Sequence, residues 1–438
     1  MKKSLFALAA VGAIAGTAQA QSSVTVYGLL DLGYVGTNQR IANNSVSGSA
    51  STGGVTSATT SAFIDGAEST SRLGFKGNED LGGGLSAFFT VETSITPNSG
   101  NTIGTGTDSN RQTFAGLKKS GIGQFAFGTQ YTTIFNAAAQ SDPGLMNNMM
   151  GNVIYDKGKG VTYTQAGATV AGSNNYSGMQ NNTSFTVRSA NMLSVASETF
   201  SGFQGNGFIV QNNANTNASA GTGGNSGYTG GSTNHTGWGL GANYTWQKLF
   251  VTANYQNFTD KNPYNVNSSG VYTAGAPTMG FYGGAAAATG TNARDNQQYY
   301  AATYDFGILK AYIQYVNRKT MDVNNSNMYV ARTGQQIGVR SFITPVVEGW
   351  ASVGTGKLTG ATSTAGNSFL GVASTGVSGS SNAVNFGGFQ LGSNYWLSKR
   401  TNLYAIYGQE RTSNQIWVSP NPSSYNSNAY ALGVRHTF

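Results

Sequence analysis

Cysteine is absent from all 438 residues, which removes disulfide frameworks, thiolate metal centres and cysteine nucleophiles together. Histidine is nearly absent, at two, so a zinc centre or a Ser-His hydrolase lacks its ligands and bases. Charge is scarce as well: 9% of residues, against about 25% in ordinary soluble domains. Past residue 20, no run is apolar for the roughly 20 residues that a membrane-spanning helix requires. Lys and Arg never occur in a run longer than a pair, such as Lys118-Lys119 or Lys399-Arg400. A net charge of +8 therefore comes without the clustered cations that bind a phosphate backbone. What is abundant is Gly (62), Tyr (23) and Phe (22), and 11% aromatic residues argue against disorder of the whole chain.

The first twenty residues are set apart. Met1-Lys2-Lys3 is a basic start, Leu5 to Ala15 is a short apolar stretch, and Ala18-Gln19-Ala20 has the small-x-small cleavage pattern. Residues 1–20 are expected to be a secretory signal peptide cut before Gln21, leaving a mature chain 21–438 with a charge of +6.

The mature chain alternates with period two, again and again. Val24, Val26, Leu30, Leu32 and Tyr34 alternate with Thr25, Tyr27, Leu29, Asp31 and Gly33. Trp238, Leu240, Ala242, Tyr244 and Trp246 alternate with Gly239, Gly241, Asn243 and Thr245. Tyr430, Leu432, Val434, His436 and Phe438 alternate with Ala431, Gly433, Arg435 and Thr437. One apolar, aromatic face and one small or polar face over about 10 residues is the mark of a strand in a membrane barrel. Lipid-facing and water-facing residues then cancel in mean hydropathy. A soluble sandwich would also alternate, but with more charge on its outer face.

Tight turns at Gly82-Gly83-Gly84, Lys119-Ser120-Gly121, Gly307 and Ser398-Lys399-Arg400 alternate with long polar stretches at 37–69, 97–110, 132–187, 213–234, 261–295 and 359–385. Sixteen strands are expected: 24–35, 70–79, 84–95, 111–119, 123–131, 189–198, 203–212, 236–247, 249–260, 297–306, 308–319, 334–344, 346–358, 386–397, 401–412 and 428–438. The fold class is all-β, one antiparallel transmembrane barrel over 21–438, wide enough for an aqueous channel.

Several segments, taken in order, resemble the Gram-negative general porins of the beta-proteobacterial type. They are Val26-Tyr27-Gly28-Leu29-Leu30-Asp31, Ser71-Arg72-Leu73-Gly74-Phe75-Lys76-Gly77, Arg111-Gln112-Thr113-Phe114-Ala115-Gly116-Leu117, Gly123-Gln124-Phe125-Ala126-Phe127-Gly128, Tyr395-Trp396-Leu397-Ser398-Lys399-Arg400-Thr401 and the terminal Gly433-Val434-Arg435-His436-Thr437-Phe438. The resemblance implies a homotrimer of sixteen-stranded barrels in the outer membrane, each with long extracellular loops and its third long loop folded inward as a constriction. Three departures are visible. Thr129 stands where the family often has Arg, Ser141-Asp142-Pro143-Gly144-Leu145 replaces an acidic Pro-Glu-Phe-Gly segment, and an Asn/Gly/Ser-rich insertion lies around 171–183.

Selection in such a pore rests on width and fixed charge at the narrowest point. Arg72 and Lys76 sit four apart, so both leave their strand on one face; Arg111, Arg340 and Arg435 join them as candidate lumen cations. A lipid-facing Arg costs about 2–4 kcal/mol at the bilayer midplane, which favours the lumen. Asp142 and Asp156 are the candidate carboxylates of the third loop, and Phe438 resembles the terminal assembly signal of outer-membrane barrels. Other chemistry finds little footing. His235 lies in a polar loop and His436 on the presumed lipid face. Asp322-x-Asn324-x-Ser326 opens like a calcium loop, but Asn327 and Thr333 stand where Gly and Glu are needed. The Gly triplet 82–84 precedes a strand rather than a helix, so it is a turn and not a phosphate cradle. No metal, cofactor or catalytic residue is expected. The expected function is passive diffusion of small hydrophilic solutes and ions with mild anion preference. A surface adhesin or phage receptor, and a sugar-specific channel, are the competing readings.

Overall fold

The structure, a computed structural model, describes residues 23–43, 54–98, 103, 110–156, 163–165, 168–170, 179–220, 228–261, 292–323, 326, 329–361, 381–415 and 423–438. The expected signal peptide and most of the 171–183 insertion lie outside these residues. In chain order the strands are β1 (Ser23–Asn43), β2 (Gly54–Asp65), β3 (Arg72–Gly82), β4 (Leu85–Ser94), β5 (Asn110–Lys119) and β6 (Gly123–Tyr131). Helix α1 (Thr133–Ser141) follows, then three short strands, β7 (Tyr163–Gln165), β8 (Ala168–Val170) and β9 (Met179–Asn181). The run continues with β10 (Thr186–Ser197), β11 (Phe203–Ala220), β12 (Tyr228–Trp246), β13 (Leu249–Lys261), β14 (Asn292–Asp305) and β15 (Lys310–Asp322). It ends with β16 (Tyr329–Thr344), β17 (Val347–Ala361), β18 (Ser381–Trp396), β19 (Thr401–Gln415) and β20 (Ser423–Thr437).

Each barrel strand pairs antiparallel with the next, and β20 returns to β1 from Leu29↔Thr437 to Asn43↔Ser423, closing a sixteen-stranded barrel. Closure leaves no free edge in the membrane. The second barrel strand comes in two pieces. β1 pairs with β3 below (Tyr27↔Gly74) and with β2 above (Leu32↔Asp65). Between the pieces, residues 66–71 turn into the lumen, where Ala67 is fully buried. Tight turns on one end use positive φ at Gly82, Gly83, Gly84, Gly121 and Gly307.

Faces follow the alternation. Outward, Leu240 and Trp238 are exposed; inward, Gln256, Gln297, Gln390 and Arg318 are fully buried. The upper strands run well beyond the expected limits: β11 reaches Ala220 and β12 begins at Tyr228. Alternation marks a strand only where one face meets lipid. Above the bilayer both faces meet water, so Asn, Ser, Thr and Gly extend the ladder without an apolar signal. His235 is accordingly a strand residue, stacked on Phe258 and almost fully buried, not a loop residue.

Candidate functional site: the lumen and its inward loop

The chain after β6 folds inward. Thr132 Oγ1 caps α1 by accepting from the Phe135 N–H at 3.3 Å, and three alanines carry the helix. Ile134, Ala137 and Ala138 pack on Tyr299 and Val316 of the wall. Ser141 Oγ and the Tyr299 hydroxyl lie 2.6 Å apart, which pins the end of the helix.

Residues 142–156 then run along the inner wall from β16 to β19. Gln336 Oε1 accepts from the Val153 N–H at 3.0 Å, and Gln390 Nε2 reaches the carbonyls of Met149 and Met150, each at 2.8 Å. Asn148 meets the inward turn 66–71, donating its N–H to the Ala67 carbonyl at 3.0 Å. That turn rests on the same flank, where Glu68 accepts from Asn394 of β18 at 2.7 Å and Asn402 of β19 at 2.9 Å. Glycines give the loop its bed. A Cβ on Gly408 would strike the Met150 carbonyl, and Gly151, at φ +92, lies against the Phe389 carbonyl where no side chain fits.

Three arginines hold this loop. Arg340 Nη1 donates to the Pro143 carbonyl at 2.8 Å and pairs with Glu348. Arg332 donates to the Val153 carbonyl at 2.9 Å and to Ser184 Oγ. Arg318, fully buried, is forked onto Asp295 and donates to the Asn182 carbonyl at 2.9 Å. Beside it Gln297 Oε1 accepts from the Thr186 N–H at 2.7 Å.

Facing the loop, Arg72, Arg111 and Arg188 converge on a hollow of about 220 Å³ that Tyr131, Phe135, Leu145 and Tyr155 also line. Arg72 donates to the Thr70 carbonyl at 3.0 Å and to Ser69 Oγ at 2.8 Å, both on the inward turn 66–71. Arg111 Nε meets Glu92 Oε1 at 2.7 Å and its Nη2 donates to the Tyr131 hydroxyl at 2.7 Å. Glu92 also accepts from the Tyr27 hydroxyl at 3.1 Å.

The other sequence candidates lie elsewhere. Lys76 is on the lumen face below, 5.4 Å over the Tyr27 ring. Arg435 faces inward beside Asp31, its register partner, and its Nε meets no acceptor among the described residues. Asp142 is fully buried, accepting from the Met146 N–H at 2.8 Å, Asn152 Nδ2 at 2.9 Å and Gln336 Nε2 at 3.2 Å. Burial pushes its carboxyl above the ordinary range, and these donors pull the other way. Asp156 lies 3.9 Å from Arg332 and accepts from the Thr183 hydroxyl at 3.2 Å. Phe438 is joined to Gly28 by two backbone bonds of 3.1 Å, and its ring covers the Gly28 α-carbon on the lipid side.

Sequence reasoning missed Arg188, Arg318 and Arg332, the buried glutamines and α1. For α1 a signal was present: Thr132 as cap before an alanine run. For the arginines the sequence named no partner: Arg318 and Arg332 are each defined by a loop segment more than a hundred residues away.

Known proteins give the same outline. An outer membrane porin protein of Bordetella pertussis is 36% identical over 145 residues, 33% of this chain and 37% of that protein. Outer membrane porin protein 32 of Delftia acidovorans is 43% identical over 104 residues, 24% of this chain and 25% of that one. The aligned stretches thus span well under half of either relative. Among solved structures, an anion-selective porin from Comamonas acidovorans superposes with a TM-score of 0.59 at 17% identity, covering 95% of this chain and 100% of that one. OmpT of Vibrio cholerae, folded in vitro and in trimer form, gives 0.51 at 14% identity, covering 95% and 99%. At such identities the likeness is one of fold. The family model described as Gram-negative porin matches residues 7–415, nearly the whole barrel, and the chain belongs to that family.

Proposed function

We propose that the chain is a passive diffusion channel of the outer membrane, with mild anion preference, working as a homotrimer and catalysing no reaction. The observation that carries this reading is the convergence of Arg72, Arg111 and Arg188 on one hollow between loop and wall, with Glu92 as the carboxylate paired to Arg111. In a water-filled space bounded by low-dielectric walls, such a cluster lowers the energy of a passing anion and raises that of a cation. The Comamonas porin named anion-selective shares the fold, and the Vibrio porin in trimer form supports the homotrimer.

Within this reading the sequence candidates divide. Arg72 and Arg111, with Arg188, form the cationic wall; Lys76 and Arg435 extend its field along the lumen. Arg340, Asp142 and Asp156 act on the loop, fixing its path rather than touching solutes. Phe438 serves assembly, and residues 1–20 direct export.

Single channels in planar bilayers test the reading. Large ohmic steps, unaffected by millimolar sugar, are expected, with a reversal potential of anionic sign in a salt gradient. Arg72→Gln and Arg111→Gln should each move that potential toward cations. Unchanged selectivity in both variants would remove the cationic wall from the proposal, and sugar-blocked current would replace general diffusion with a specific channel.

A further inference from the structure

A larger cavity, about 760 Å³, lies on the outside of the barrel across β17, β18 and β19. Its outward residues form cross-strand rows. Val353, Phe389 and Gln409 make one row, and Thr355, Gly387 and Arg411 the row above it; one step higher, Lys357 pairs with Asn385. Gly387 leaves a notch where its neighbours Thr355 and Arg411 carry side chains. A Cβ there would meet only the Gly354 carbonyl, at 3.4 Å, so packing does not require the glycine.

The notch sits at a boundary in chemistry. Below it the wall is apolar: Val353 and Leu391 are exposed, and Phe389 lies 5.9 Å from Tyr407. Beside it stands Arg411, above it the outward side chains are Lys357 and Asn385, and Gln409 is the one polar outward residue in the row below. Glu410, the acid of β19, faces the lumen instead. Aromatic residues giving way to cations is the expected order at the headgroup level of a bilayer, where an outward Arg costs about 0–1 kcal/mol rather than the midplane penalty. The long-loop end of the barrel is the outer face, so these residues meet the outer leaflet. The inference rests in that respect on the outer-membrane seating proposed above.

We propose that this groove seats the phosphate-bearing headgroup of a lipid in the surrounding outer leaflet. Arg411 and Lys357 supply the charge, Gly387 lets the phosphate approach the wall, and an acyl chain runs down over Phe389, Val353 and Leu391. Arg suits phosphate through its planar fork of donors, and no described acid on the outer face of β17–β19 opposes it.

The folded channel in neutral detergent, titrated with phosphatidic acid and followed by native mass spectrometry, tests this. One lipid per chain should be retained in preference to phosphatidylcholine. Arg411→Gln and Lys357→Gln should each weaken retention about fivefold. Gly387→Val, which fills the notch without changing charge, should weaken it as well. Lys118→Gln, at the opposite rim, should leave it unchanged, with heat-modifiable electrophoretic mobility confirming that every variant is folded. Equal retention by the charge variants, or of phosphatidylcholine, would overturn the proposal. So would inorganic phosphate displacing the lipid at equal concentration, since the site would then bind a free anion. If the charge variants instead split the oligomer without changing lipid uptake, the groove is a subunit contact and the proposal falls.

Discussion

Glu92 stands between Arg111 and the Tyr27 hydroxyl, so the field in the lumen hollow is a balance struck side chain by side chain. Removing the acid and removing the base should act in opposite directions. Glu92→Gln is expected to raise anion preference and Arg111→Gln to lower it, each by an energy on the order of 1–2 kcal/mol at about 8 Å in an effective dielectric near 20. That is about a five- to thirtyfold change in the permeability ratio, read from the reversal potential. It should shrink between 0.1 and 1 M salt, as the Debye length falls from about 10 to about 3 Å. A shift of the same sign in both variants would show that the pair does not set the field. At Gly408 the constraint is steric. Gly408→Val should drive the Met150 carbonyl into the lumen and lower single-channel conductance, at about 1–3 kcal/mol of overpacking, with the selectivity unchanged.

The inward loop is an element whose path is written in the wall. Arg318→Ala strands Asp295 without its buried partner, a loss of about 3–5 kcal/mol. The expected outcome is a noisier open channel and faster proteolysis around Asn181 and Asn182, with the barrel itself still resistant to heat. Replacing both partners, Arg318→Met with Asp295→Leu, should restore much of the stability but not the hydrogen bonds to Asn181 and Asn182. If the single variant is as quiet as the parent, the clamp does not restrain the loop. Here lies the limit of what the sequence discloses. The strands were legible because lipid on one side and water on the other impose a two-residue rhythm, as at Trp238 to Trp246. Arg72 and Arg111 were legible because parity puts a costly charge in the lumen. Gln336, Gln390 and Gly408 were not, for a lumen-facing polar residue looks the same in sequence whether it meets water or a loop backbone. Asp142 illustrates the point: its position in the loop suggested a pore carboxylate, while its surroundings are three amide donors and no solvent.

For the whole molecule, closure is the decisive step, and it joins the two ends of the chain. β20 zips to β1, and Phe438 finishes the seam with two bonds to Gly28. Phe438→Ala should therefore divide two readouts. Barrels assembled in cells should fall severalfold, while protein refolded in detergent keeps its heat-modifiable mobility; equal losses in both would make the residue a packing contact alone. The loop inside the barrel has a mechanical side as well. Anchored at Arg318, Arg332, Arg340 and Gln390, and tied to the inward turn at Ala67 that rests on β18 and β19, it works as a second layer on one flank of the tube. A flank doubled and cross-bonded in this way bends less than a single sheet. Swelling of the cell should thus leave the bore of this channel nearly constant, so that flux follows the solute gradient and not the strain in the membrane.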